Sequence, residues 1–313
     1  MKKTFIFFAL LFIFILIAFI PFKKQQSVLI KATFFNVYQR LSKPVYWQQW
    51  KSDLKNLTVS EKGNLITNQK VNGFDIVSDK INLSVVVNGY NFLITEGKGL
   101  KKIEYAYTVL PQKKEDETLI SIEEKTNIFS NLLSFFVSKD DDNSPINDLK
   151  IFMETPRLYY GFDIIKKHVT DTDILVVKKV ILAKYKFTEA AKSFDLLKKY
   201  ALANGLNQTQ PVMAQFIPKQ NDSIELKIGL PVNKKVKNKG DLQFVNMPAT
   251  GYMYTAKFNG LFKDRNKVFS AVQNYFSDRR MPMPILPFEI YLDNKLPTSE
   301  TDTVNIQLNC STY

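Results

Sequence analysis

The sequence predicts an α+β protein: one N-terminal transmembrane helix followed by two compact domains built on antiparallel strands. Three observations carry this prediction. Sixteen consecutive apolar residues run from Phe5 to Ile20. Short alternating runs, separated by Asn-Gly and Gly-x-Gly turns, fill residues 64–125. A strand–helix–strand–strand pattern occurs twice between Val176 and Asn309.

Composition bounds the chemistry before any element is placed. At 313 residues the chain can bury two cores, and 45% hydrophobic with 23% charged residues excludes extended disorder. The formal charge is +13, from 43 Lys and Arg against 30 Asp and Glu. The lysines are scattered and arginine is sparse, so the excess reads as a solvated basic surface near anionic lipid rather than a nucleic-acid footprint. Cys310 is the only cysteine and His168 the only histidine. Intrachain disulfides and Cys- or His-rich metal sites are therefore excluded, and a serine or cysteine triad has one candidate base. His168 reads as a structural or surface residue. No Gly-rich phosphate loop and no metal-spaced cluster occurs, so no cofactor, no metal and no nucleic-acid partner is expected. Nothing points to an obligate protein partner.

The first element is the apolar run, ended by Pro21 and bracketed by Lys2, Lys3, Lys23 and Lys24. As a helix it spans about 24 Å, slightly short of a ~30 Å hydrocarbon core, a gap that snorkelling lysines can close. No small-x-small cleavage site and no lipidation cysteine follows Ile20, so residues 1–26 read as an uncleaved anchor rather than a signal peptide. A short N-terminal tail that stays inside would place the body outside a bacterial inner membrane, as a single-pass protein.

Residues 27–155 form the first domain. Ser27–Thr33 reads as a strand and Phe34–Leu41 as a helix. Trp47 and Trp50, three residues apart, lie on one side of a helical turn, where they pack the core. Strands follow at Asn64–Lys70, Phe74–Ser78, Ile81–Asn88, Tyr90–Glu96, Lys102–Leu110 and Thr118–Lys125. Ser144 as cap and Pro145 at the first helical position begin a closing helix through Leu149, Phe152 and Met153. The stretches Ser27-Val28-Leu29-Ile30, Val37-Tyr38 and Trp47-Gln48-Gln49-Trp50, ahead of this meander, resemble the opening of a START-like helix-grip domain. That resemblance implies a sheet curled around its last helix over an apolar cavity, and hence lipid binding or transfer.

Residues 156–313 form the second domain. Ala183-Lys184-Tyr185 recurs as Ala256-Lys257-Phe258, and Pro211-Val212 as Pro284-Ile285, both at an offset of 73. In the first copy Val176–Tyr185 is a strand, Thr188 caps a helix ended by Asn204-Gly205, and strands Val212–Ile217 and Ile224–Leu230 follow. In the second, one long or broken strand covers Gln243–Phe258 with Pro248 at the break. Asp264 then caps a helix, and Phe288–Leu292 and Val304–Asn309 are strands. A duplicated βαββ unit predicts one antiparallel-rich sheet with its helices on one face. On the strand at 288–292, Glu289 and Tyr291 share one side, and Phe288, Ile290 and Leu292 the other, which is expected to go under the helices. Tyr252, Tyr254, Ala256 and Phe258 also share a side.

Met247-Pro248-Ala249, Phe258-Asn259-Gly260 and above all Pro287-Phe288-Glu289-Ile290-Tyr291-Leu292 resemble the GyrI-like, or bacterial transcription-activator effector-binding, domain. The resemblance implies a small-molecule cleft between the two halves, faced by a glutamate at the position of Glu289. The expected ligand residues are Glu289, Tyr291, Tyr254, Tyr252 and Phe258, with Tyr185 and Phe216 as the repeat counterparts of Phe258 and Glu289. One carboxylate among aromatic rings would favour a lipophilic cation. The reading is therefore membrane-anchored binding or sensing of a small lipophilic molecule, without catalytic residues. The alternatives are a hydrolase of reactive small molecules, using Glu289 as base with Tyr254 or Tyr291 as donor, and lipid binding through the first domain.

Overall fold

Where the apolar run ends, at Pro21, a strand begins. The computed structural model describes residues 21–98, 101–127, 145–170, 172–235, 237–238, 240–247 and 251–312. They divide into two compact units, Met1–Thr155 and Pro156–Tyr313.

The first unit holds a seven-stranded antiparallel sheet: β1 (Pro21–Ile30), β2 (Ile66–Lys70), β3 (Gly73–Val77), β4 (Asn82–Asn88), β5 (Asn91–Lys98), β6 (Lys101–Pro111) and β7 (Thr118–Asn127). Its order is β1-β7-β6-β5-β4-β3-β2, a meander closed by β1 beside β7. Alternation places two buried hydrophobic side chains on each of five strands: Phe74 and Ile76, Leu83 and Val85, Phe92 and Ile94, Tyr107 and Val109, Ile120 and Ile122. At Gly73 the chain passes so close to β4 that a Cβ would lie 1.9 Å from the Val85 carbonyl oxygen, so only glycine fits.

Among the described residues five helices accompany this sheet: α1 (Phe34–Ser42), α2 (Pro44–Trp50), α3 (Ser52–Lys55), α4 (Val59–Gly63) and α5 (Pro145–Glu154). Thr33 caps α1, and Thr58 with Glu61 forms a reciprocal capping box on α4. Trp47 and Trp50 are core residues. Their rings lie 4.6 Å apart, and their indole N–H groups donate to the carbonyls of Leu41 and Arg40. The expected boundary at residue 26 needs correction, because residues 21–26 pair with β7 as part of β1. The expected membrane span, Phe5–Ile20, lies outside the described residues, as does the expected cap Ser144. Among the described residues no helix is long and apolar enough to cross a membrane.

The second unit contains α6 (Pro156–Tyr160), β8 (Ile164–His168), β9 (Thr172–Leu182), α7 (Lys186–Ala203), β10 (Met213–Pro218), β11 (Ser223–Val232), β12 (Leu242–Met247), β13 (Tyr252–Leu261), α8 (Asn266–Asp278), β14 (Phe288–Tyr291) and β15 (Thr303–Thr312). Its sheet runs β12-β9-β11-β10-β14-β15-β13-β8 and is antiparallel throughout. The order is symmetric about the β10–β14 seam, so the duplication is real, but its offset is not constant. β9 and β13 end 79 residues apart, at Leu182 and Leu261; β10 and β14 begin 75 apart, at Met213 and Phe288; β11 and β15 begin 80 apart, at Ser223 and Thr303. The dip to 75 follows from the helices, 18 residues in α7 against 13 in α8. The counterpart of Glu289 is thus Ala214, its register partner across the seam, and the counterpart of Phe216 is Tyr291.

Two further expectations change, while the expected placing of both helices on one face holds. Thr188 and Asp264 are not caps: each helix is entered through a 3₁₀ turn, Ala183–Tyr185 and Phe262–Asp264, leaving Tyr185 and Arg265 at the cap positions. The stretch 243–258 is two strands far apart in the sheet, since β12 pairs with β9 while β13 pairs with β15 and β8. Both long helices cover one face, where Ala190, Leu197, Val268, Val272 and Phe276 pack on Val177, Leu226, Ile228, Ala256, Ile306 and Leu308.

Candidate ligand site

Strand β14 alternates as expected, but its two sides are exchanged. Glu289 and Tyr291 face α7 and α8, and Phe288, Ile290 and Leu292 lie on the opposite face with Ile174, Met213 and Met247. A carboxylate can be buried there because the start of α8 brings it a counter-ion. Arg265 Nε donates to Glu289 Oε1 at 2.9 Å, and the Tyr291 hydroxyl donates to Oε2 at 2.5 Å. The guanidinium lies 3.6 Å over the Phe262 ring and 5.6 Å from that of Phe216. The carboxylate among aromatic rings is present, and the cation it holds is the chain's own arginine. Burial pushes the Glu289 carboxyl above its ordinary range despite the opposing pull of Arg265 and Tyr291, and burial also raises the Tyr291 phenol.

The other expected residues divide in two. Tyr254 and Phe258 share the helix-covered core with Tyr291, and Tyr254 packs edge-on against Phe276 at 5.2 Å. Tyr252 is exposed on an outer part of the sheet, with Lys166 Nζ 3.7 Å above its ring and His168 4.5 Å away. Tyr185 is exposed at its 3₁₀ turn. The structure thus gathers Glu289, Tyr291 and Phe216 around Arg265 and leaves Tyr252 and Tyr185 elsewhere.

A cavity of about 680 Å³ opens on the sheet face turned away from α7 and α8. Register explains its walls. Lys178, Lys227 and Gln215 stand side by side on β9, β11 and β10, and Val176, Gly229, Met213 and Ile290 form a parallel row across β9, β11, β10 and β14. Met247 from β12 and Met253 from β13 add apolar wall. Gly229 has ordinary extended backbone, and a Cβ there would lie 3.0 Å from Ile174 Cγ2 and 3.5 Å from Met213 Cβ. The absent side chain is what leaves room on the floor.

The cavity's polar groups are few and uneven in sign. Among the described residues no Asp or Glu lines the cavity, whereas Lys178 and Lys227 do. Both reach the Glu225 carboxylate, at 3.4 and 3.2 Å, and Lys219 reaches it at 3.3 Å. Burial works against the Glu225 charge, but hydrogen bonds from Lys227, Lys219 and Lys178 outweigh it and hold the carboxyl down to about 2. Ser311, also on the wall, is buried, and its Oγ has no hydrogen-bond partner among the described residues. Among the described residues no cluster of three or more His, Cys, Asp or Glu side chains could hold a metal ion.

Reading the sequence misses every one of these cavity residues. The available signal is Gly229 in the interior of a strand, together with three methionines, 213, 247 and 253, that recur in the same half of the chain.

No protein-family model matches the chain, and no curated protein does either. Among solved structures, the crystal structure of the EcmrR C-terminal domain is similar over 49% of this chain and 98% of its own, at 16% identity and a TM-score of 0.39. A hydrolase from Listeria innocua is similar over 48% of this chain and 91% of its own, at 10% identity and a TM-score of 0.36. A START superfamily protein from Mycobacterium smegmatis is similar over 42% of this chain and 97% of its own, at 11% identity and a TM-score of 0.27. The chemistry of the cavity rests on its own residues.

Proposed function

We propose that this is a membrane-tethered, non-catalytic protein that binds a small lipophilic molecule in the cavity of its second unit. The tether is Phe5–Ile20, with the folded units outside a bacterial inner membrane. The observation that supports binding is the cavity itself: about 680 Å³, walled mainly by Ile174, Val176, Met213, Met247, Met253 and Phe288. Ligand pockets run from about 300 to 1,000 Å³ and are mostly apolar with a few placed polar groups. Methionine walls suit a ligand of variable shape, because the thioether is flexible and polarisable. Both oxygens of Glu289 are already engaged, by Arg265 and Tyr291, which favours binding over general-base turnover.

The test is calorimetric titration of the full chain in lipid nanodiscs with the neutral probe 1-naphthalenemethanol, empty nanodiscs being subtracted. The wild-type chain is expected to bind it. Gly229→Leu, which fills the floor from a backbone any residue can adopt, should weaken binding about tenfold or more in a variant that still unfolds cooperatively, at a somewhat lower midpoint because Ile174 must shift to admit the new Cβ. Equal binding by the folded variant, or no binding by the wild type, contradicts the proposal.

A further inference from the structure

We infer that the ligand of this cavity is an amphipathic anion, with its apolar body against the methionines and its acidic head at Lys178 and Lys227. This rests on the cavity being the binding site, and it reverses the charge that a carboxylate-centred cleft would select. Three observations converge on it. Among the described residues the cavity is lined by two lysines and no carboxylate. Those lysines are register partners on neighbouring strands, so their charges are held close together beside an apolar floor. With Lys219 they share one carboxylate, Glu225, which leaves the group with two uncompensated positive charges. Like charges gathered this way repel, and an incoming anion relieves the repulsion at a partly desolvated site.

The buried Ser311 hydroxyl is the independent sign of a missing partner. A hydroxyl with no hydrogen bond costs free energy, and one on a cavity wall can recover it by donating to a ligand oxygen. Gln215, the other polar neighbour in the lysine row, is already committed. Its side-chain amide donates to the carbonyls of Leu286 and Pro287, at 2.9 and 3.1 Å, holding that segment against the rim. The acidic head therefore meets the two ammonium groups, which suit a carboxylate or a phosphate, while Ser311, three strands away on β15, faces another part of the ligand.

The test compares three probes with one ring system and different charge, titrated into the full chain in neutral-lipid nanodiscs. 1-Naphthoate should bind about tenfold tighter than 1-naphthalenemethanol, and 1-naphthylmethylammonium should bind weakest. The advantage of naphthoate should shrink as salt is raised. Glu225→Gln removes the internal competitor for the lysines and should tighten naphthoate severalfold while leaving the neutral probe unchanged. Lys178→Gln, at a half-exposed side chain, should weaken naphthoate alone. Competition by anionic-lipid nanodiscs would assign the acidic head to a lipid, and its absence to a free acid. Binding of the ammonium probe as tightly as naphthoate, or weakening of naphthoate by Glu225→Gln, overturns the inference. If the neutral probe still binds and is lost in Gly229→Leu, the cavity remains the site and only the ligand charge is wrong. If no probe binds, both readings fall.

Discussion

Glu289 shows how much one distant residue can decide. Alternation correctly groups it with Tyr291, yet which side of β14 goes inward depends on Arg265, 24 residues away. No local pattern signals that pairing, so the sequence alone sends the more apolar side, Phe288 and Ile290, to the helices. Because the pair is buried, removing one member should cost far more than removing both. Arg265→Leu is expected to destabilise the protein by roughly 3–5 kcal/mol by stranding the Glu289 charge. Adding Glu289→Gln should restore part of that loss, and urea unfolding of the two variants measures both effects. Ser311 behaves in the opposite way. It has no partner to lose among the described residues, so Ser311→Ala should leave the midpoint unchanged or raise it, by about 1 kcal/mol at most. A clear loss of stability in Ser311→Ala would mean the hydroxyl is satisfied after all.

At the scale of elements, strands were easier to read than their neighbours. The hairpins of the first unit follow from turn residues and alternation, and each expected strand from 64 to 125 has a counterpart within a few residues. The helix starts of the second unit were misplaced, by three residues at α7 and by one at α8, because 3₁₀ turns lead into them, and such turns carry no capping signature. The repeat was visible, but the constant offset of 73 was wrong: Ala183–Tyr185 is a 3₁₀ turn whereas Ala256–Phe258 lies within β13, and the strand offsets run from 75 to 80. β11 carries an element-scale consequence of its own. Its Glu225 is held down to about 2, against an ordinary 4.5, by three lysines from β9, β11 and the turn after β10. A depressed folded-state value means that this contribution is fully present above pH 4.5 and lost as pH falls toward 2. Thermal unfolding from pH 5 to pH 2.5 should therefore fall more steeply for wild type than for Glu225→Gln. Parallel curves would show that the cluster adds no pH-dependent stability.

For the whole molecule, composition and patterning already imply two antiparallel units, and the structure has a sheet in each. The cavity was not legible, because it is assembled from register between strands tens of residues apart and from a side chain that Gly229 lacks. The tether belongs to this scale as well. The full chain should stay with membranes through alkaline carbonate extraction, and a chain lacking residues 1–20 should move to the soluble fraction. Release of the full chain would contradict the anchor.

The measurement that bears most directly on the central claim uses methionine. The chain has seven methionines, and Met213, Met247 and Met253 line the cavity, whereas Met153 is buried in the first unit and Met281 and Met283 pack against the helix-covered core. Titrating 1-naphthoate into the ¹³C-methyl-methionine-labelled full chain should shift the methyl signals of Met213, Met247 and Met253 together, with one saturation curve, and leave Met153, Met281 and Met283 in place. Shifts confined to Met281 and Met283, or none at the three cavity methionines, would place the ligand elsewhere and contradict the account.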